Sequence, residues 1–185
     1  GDTVSITGTP VGTYNDAHVV NATTVTFSGL SLTGAQASNY SLTIQSPASA
    51  TITAATLTPT ITNTGVTKVY DGTTASSITP TYTIAGLISG DTITLSNTSI
   101  AYNDPNVLLA NKVTVSGLAI SAVTATTHSS ATTDYVLDAS SHYVNASISP
   151  ATVTLVATKV YDGTPNLTSV IIGGLVGSQT LTYTG

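Results

Sequence analysis

Covalent chemistry in this chain would have to start from its lysines. Lys68 and Lys159 are two of only three basic residues among 185, and both stand in one repeated frame: Lys68-Val69-Tyr70-Asp71-Gly72-Thr73 and Lys159-Val160-Tyr161-Asp162-Gly163-Thr164. A lysine beside an Asn or Asp side chain, with a second acid to move protons, can close an intramolecular isopeptide crosslink. That reaction needs a buried amine, and lone lysines are normally solvated. The frame therefore reads first as structure. Asp-Gly is a strong hairpin signal in which Gly72 or Gly163 takes positive φ. Tyr70 is then expected to pack its ring at a module edge, its hydroxyl wet or bonded to backbone.

Other chemistry finds less support. None of the eight carboxylates, Asp2, Asp16, Asp71, Asp91, Asp104, Asp134, Asp138 and Asp162, falls in a D-x-D-x-D-G calcium loop. His18, His128 and His142 lack metal-ligand spacing and sit among polar, turn-like neighbours, which reads as surface histidine. Ser, His and Asp all occur, but without a G-x-S-x-G elbow. There is no cysteine for disulfides or thiol catalysis. Three basic residues exclude nucleic-acid binding on charge. The expectation is a chain with no catalytic, cofactor or metal site, and not an enzyme.

The elements that carry these residues follow from composition and repetition. Charged residues are 6% of the chain, against roughly 25% in ordinary soluble domains. No apolar run approaches the roughly 18 to 20 residues of a spanning helix, so membrane insertion is not expected. Thr, Ser and Asn take the place of Lys and Glu, and Thr with Val and Ile is the composition of strands. The 41% of hydrophobic residues fall at alternating positions, which argues against disorder.

Landmarks recur at about 90 residues. Gly1-Asp2-Thr3 returns as Gly90-Asp91-Thr92, Tyr14-Asn15-Asp16 as Tyr102-Asn103-Asp104, and Val25-Thr26-Phe27-Ser28-Gly29-Leu30 as Val113-Thr114-Val115-Ser116-Gly117-Leu118. A fixed period takes precedence over local motifs. The chain divides into the C-terminal part of one repeat (1–67), a complete repeat (68–158) and the N-terminal part of the next (159–185). Gly1 to Gly8 corresponds to Gly177 to Gly185, as in a fragment cut from a longer array.

Short alternating runs such as Val4 with Ile6, Val25 with Phe27, and Val113 with Val115 are separated by Gly, Pro, Asn and Asp every 8 to 12 residues or so, the pattern of an all-β sandwich or barrel. The fold class predicted is all-β, with tandem immunoglobulin-like sandwiches of about 90 residues; a parallel β-helix is the alternative. Tyr40, two residues before Leu42, resembles the tyrosine corner of such sandwiches, and Tyr135 is its counterpart. The extra residues between the copies fall in the run Val123 to Thr133, expected at a loop tip with His128. Repeated Thr-x-Thr reflects β propensity on a wet face rather than an ice-binding ladder, and several Asn-x-Ser/Thr sequences leave glycosylation as a hypothesis.

With these residues in view the chain resembles the YDG-type and related MBG-type repeats: the Lys-Val-Tyr-Asp-Gly-Thr frame, then Gly90-Asp91-Thr92-Ile93-Thr94-Leu95, then Val113 to Leu118, then Tyr135-Val136-Leu137, then Ile148-Ser149-Pro150-Ala151-Thr152-Val153. Ser178 and Gln179 depart from the Gly90-Asp91 pattern. Such repeats occur in tandem in very large bacterial surface exoproteins, including filamentous haemagglutinin-like adhesins. The resemblance implies a secreted, cell-surface location and a stalk or filament for attachment and biofilm cohesion. Its partners would be neighbouring repeats, with strand exchange and self-association into filaments. The alternative is a carbohydrate- or protein-binding module with its site in the 123–133 loop, facing a surface glycan or a cell-surface ligand.

Overall fold

The computed structural model describes residues 1–167 and 169–182; Thr168, which completes one Asn-x-Thr sequence, and the Gly185 end of the third copy lie outside the described residues. Strand makes up 43% of the chain and helix 3%. The fold is all-β, as the short alternating runs predict.

In chain order the strands are β1 (Ser5–Tyr14), β2 (Thr24–Thr33), β3 (Ala48–Ser49), β4 (Ala55–Ile61), β5 (Val66–Val69), β6 (Tyr82–Ala85) and β7 (Asp91–Ser96). They continue as β8 (Ser99–Tyr102), β9 (Lys112–Ser116), β10 (Ala119–Ala125), β11 (Tyr135–Leu137), β12 (His142–Ser149), β13 (Thr154–Val156) and β14 (Ile171–Gly173). The chain forms two compact units. One is Gly1–Leu57, Gly86–Thr94 and Ile120–Asp138; the other is Thr58–Ala85, Leu95–Ala119 and Ala139–Gly185.

In the first unit β1 and β2 form a long antiparallel ladder from Ser5 opposite Thr33 to Tyr14 opposite Val25, broken in register between Gly8 and Val11. Gly8 and Gly29 make the break. Both have positive φ, and a Cβ on either would strike a carbonyl oxygen of the facing strand. Val4 and Ile6 predict a half-buried strand, yet Ile6 is 62% exposed and every residue of β1 faces solvent. Alternation says which side chains share a face; it does not say that the face is covered. β3 extends β2, and the start of β4 pairs in parallel with β11, Ala55 opposite Tyr135 and Leu57 opposite Leu137. Leu57 is completely buried.

In the second unit the end of β4 pairs antiparallel with β6, and β13 pairs antiparallel with β14. The four-stranded sheet runs β5-β12-β9-β8, with β5 parallel to β12 and the other pairs antiparallel. Its core is Val66, Tyr102, Ala110, Val113 and Ile148. A fully buried Val or Ile contributes about 1.5–3 kcal/mol, so these few side chains carry much of the packing. The strands fall into several small sheets. Most ladders are antiparallel, so the β-helix alternative, which needs parallel pairing from coil to coil, does not describe the chain.

Candidate functional site

The repeated frame forms a loop around its lysine. Strand β5 ends at Val69, and Lys68 Nζ then reaches Asp71 Oδ1 (2.7 Å), Thr73 O (2.7 Å), Thr73 Oγ1 (3.2 Å) and Ala75 O (3.0 Å). Asp71 Oδ1 also accepts from the Thr73 amide and hydroxyl, each at 2.9 Å. The second frame repeats the pattern: Lys159 Nζ lies 2.7 Å from Asp162 Oδ1 and donates to Thr164 O, Thr164 Oγ1 and Asn166 O. Gly72 and Gly163 have φ of 76° and 77° as predicted, but the turn is an Asx-type loop tied to lysine rather than a two-residue hairpin.

Lys68 is therefore not solvated as expected: its side chain is 17% exposed, and its ammonium lies 5.2 Å from the centroid of the Tyr102 ring. The bond from Lys68, with those from Thr73, holds the Asp71 carboxyl down at about 2. The pair is a salt bridge that closes a loop. Asp162 is lowered in the same way by Lys159 and Thr164.

The two tyrosines flagged by the sequence do not form the expected corner with nearby backbone. Each follows a single 3-10 turn, Ala37–Asn39 or Thr132–Asp134. Each donates its hydroxyl to a distant carboxylate, Tyr40 to Asp2 Oδ2 at 2.8 Å and Tyr135 to Asp91 Oδ2 at 2.5 Å. Burial, then Asp91, raises the Tyr135 hydroxyl, while Tyr135 and Ser130 hold Asp91 below the usual carboxylate range. Of the other two tyrosines, Tyr70 packs against the core of the second unit and accepts from Gln179 Nε2 at 2.6 Å, so its partner is a side chain rather than backbone. Tyr161 is almost wholly exposed.

The Tyr-Asn-Asp loops are also duplicated atom for atom. Asn15 Oδ1 accepts from the Thr23 and Thr24 amides while Nδ2 donates to Asn21 O; Asn103 Oδ1 accepts from Asn111 and Lys112 while Nδ2 donates to Leu109 O. Asp16 Oδ1 takes the His18 amide and Asp104 Oδ1 the Asn106 amide, each at 2.7 Å. These loops bear out the reading that Asn and Asp bond to turn backbone.

The histidines are more engaged than a surface reading allows. His18 Nδ1 lies 2.7 Å from Asp134 Oδ2 and Nε2 lies 3.2 Å from Ser129 Oγ. That is the order of a serine-hydrolase relay. Asp134, however, also accepts from the amides of Val19 (2.9 Å) and Ala131 (2.8 Å), so it fastens two loops together. Burial pushes Asp134 up, but His18 and these amides together outweigh it and leave the carboxyl lowered; the bond to Asp134 raises His18. His128 Nε2 lies 3.0 Å from Asp91 Oδ1 without hydrogen-bond alignment. His142 Nδ1 is 3.0 Å from Pro59 O in the second unit. The expected 123–133 loop starts later than predicted, because β10 continues to Ala125. A cavity of about 340 Å³ in the first unit is lined by Val19, Ile52, Ile88, His128, Ser129 and Tyr135.

Residues 1–50 and 53–142 match the family model of the YDG domain. The chain belongs to the YDG domain family. No curated protein and no solved structure gives a significant match. In this YDG chain the polar residues held in both copies, lysine, Asn, Asp and tyrosine, are spent on backbone and on one another. Sequence reading placed Lys68, Asp71, Lys159 and Asp162 in one motif but missed Asp2 and Asp91 as tyrosine acceptors and Asp134 as the partner of His18. The return of Gly-Asp-Thr and of Tyr-x-Leu in both copies was the available signal for the first two. Asp134 and His18 are 116 residues apart and carry none.

Proposed function

We propose that this YDG chain is a non-enzymatic structural repeat of a bacterial cell-surface or extracellular adhesin, part of a stalk or filament for attachment and biofilm cohesion. The observation that carries this is how the first unit is assembled. Segments from both matched regions, 1–50 and 53–142, form this one unit, and within it His18 of the first is fastened to Asp134 of the second. Tension along a tandem array then loads contacts between copies, such as those Asp134 makes to His18 and Val19, as well as the ladders within them. The low charge, the hydroxyl-rich surface and the resemblance to exoprotein repeats support the extracellular setting.

The test is genetic and cellular. Cells expressing the full-length protein should display an epitope placed in a YDG repeat on their surface, and deletion of the repeats should lower attachment and biofilm mass while any terminal domain stays folded. A protein retained inside the cell, or attachment unchanged by the deletion, would reject this function.

A second reading rests on the cavity beside Thr126–Ala131. Lined by Val19, Ile52 and Ile88 with His128 and Ser129 at its side, it has the apolar floor and few polar groups of a small-ligand site. Here the chain is a carbohydrate- or protein-binding module. Glycan-array binding that His128→Ala removes would establish it, and an empty array would reject the carbohydrate form.

A further inference from the structure

Strand β11 completes the edge of β4 in the first unit, and among the described residues the second unit holds the same edge without a strand on it. β13 and β14 repeat β4 and β6 in register: Thr154 stands opposite Gly173 as Thr58 stands opposite Ala85, and Leu155 opposite Ile172 as Pro59 opposite Ile84. Gly174 repeats Gly86. Both have positive φ, and a Cβ on either would strike a threonine carbonyl oxygen, that of Thr152 or of Thr56. The Gln179 amide donates to Val176 O as the Asp91 amide donates to Ile88 O. Ala151-Thr152-Val153 is therefore the counterpart of Ala55-Thr56-Leu57, the segment that β11 pairs in parallel.

Among the described residues Ala151–Val153 carries no strand. It borders a largely apolar groove of about 610 Å³ that Val107, Leu109, Leu175 and Val176 also line. Val153 is 44% exposed where its counterpart Leu57 is 0% exposed. Gln179 lines the same groove at the position where Asp91 takes the Tyr135 hydroxyl in the first unit.

We propose that this groove is an acceptor for a Tyr-x-Leu strand of a YDG repeat, added in parallel to Ala151–Val153 as β11 is added to β4. The tyrosine ring enters beside Val176 and its hydroxyl donates to the amide oxygen of Gln179. The third strand residue covers Val153 as Leu137 pairs with Leu57. Main-chain bonds supply the affinity and the two side chains the register, the mode of strand addition to a sheet edge. The inference rests on the tandem-array reading only for the source of the strand.

The test is titration of the ¹⁵N-labelled 185-residue chain with a synthetic peptide of the sequence Ala131–Asp138. The expected result is saturable shift changes at Ala151–Val153 and at Leu175 and Val176. A peptide carrying Tyr135→Ala and Leu137→Ala should bind at least ~10-fold more weakly, and Val176→Glu in the chain should abolish the shifts while the β8–β9 amides stay in place; if that variant does not fold, Gln179→Ala should still weaken the parent peptide. No change at Ala151–Val153 with millimolar peptide overturns the proposal. So do shifts confined to Ala55–Leu57, which would mean that the peptide merely replaces β11. A concentration-dependent dimer of the chain alone, lost in Tyr40→Ala, would show the groove taking the Tyr40-Ser41-Leu42 segment of a second copy and would support the proposal. None of these failures touches the surface display and attachment that test the filament reading.

Discussion

Tyr135 donates its hydroxyl to Oδ2 of Asp91, 44 residues before it, and Tyr40 makes the same bond to Asp2 across 38 residues. The bond persists although the loop between its ends has changed length. It pins the 3-10 turn before each tyrosine to the Gly-Asp-Thr segment of its own copy. The two differ in burial: Tyr135 is 6% exposed and Tyr40 52%.

That difference sets a first prediction. Tyr135→Phe should cost about 1–2 kcal/mol, because a buried hydrogen bond is lost and its acceptor left in place. For a chain of this size that is a fall of roughly 2–8 °C in melting midpoint. Tyr40→Phe should leave the midpoint nearly unchanged, since water replaces the lost hydroxyl. Thermal melts of the two variants decide this, and equal effects would contradict the role of burial.

A second prediction concerns the lysine-centred loop. The Asp71 carboxyl is lowered, so its contribution to stability is present above the ordinary carboxylate value near 3.8 and is lost as pH falls through about 2. Carboxyl-detected NMR should find the Asp71 midpoint near 2 in the parent chain. In Lys68→Met it should climb toward the ordinary range, with looser amides at Thr73 and Ala75.

The His18 clasp behaves in the opposite sense. Its raised value means that its contribution is complete below about 6.5, the unperturbed histidine value, and is lost as pH rises through the raised value. Amide exchange at Ser129 to Ala131 should quicken across that window. Asp134→Asn should bring the His18 midpoint down. A fluorophosphonate probe should leave Ser129 unlabelled, because Asp134 is a fastener between loops; stoichiometric labelling would require an acyl-transfer role instead.

Glycine replacements separate backbone strain from crowding. Gly163 has φ of 77° and open space around it, so Gly163→Ala should cost about 1–2 kcal/mol, the left-handed penalty alone. Gly86→Ala should cost more, since its Cβ would also meet the carbonyl oxygen of Thr56. Denaturant unfolding of both variants gives the comparison.

The features legible in the sequence were those with local cause. Asp-Gly fixes positive φ at Gly72 and Gly163, Tyr-Asn-Asp builds a self-bonded loop, and Thr, Val and Ile in alternation give strands. What escaped depends on residues far apart or on what covers a face. Lys68 reads as solvated because its acceptors are carbonyls that only the folded loop brings together. Ile6 reads as half-buried because its alternation matches a core strand that nothing in sequence tells from an open ladder. His18 reads as surface because Asp134 lies in a different copy.

The most direct test of the structural role is electron microscopy of a native tandem array of these repeats. Segments of both matched regions packed into one unit predict an unbranched fibre with a constant axial spacing from one copy to the next, unchanged under moderate tension. Separate beads at variable spacing, joined by flexible chain, would contradict the account and leave each repeat a spacer that folds by itself.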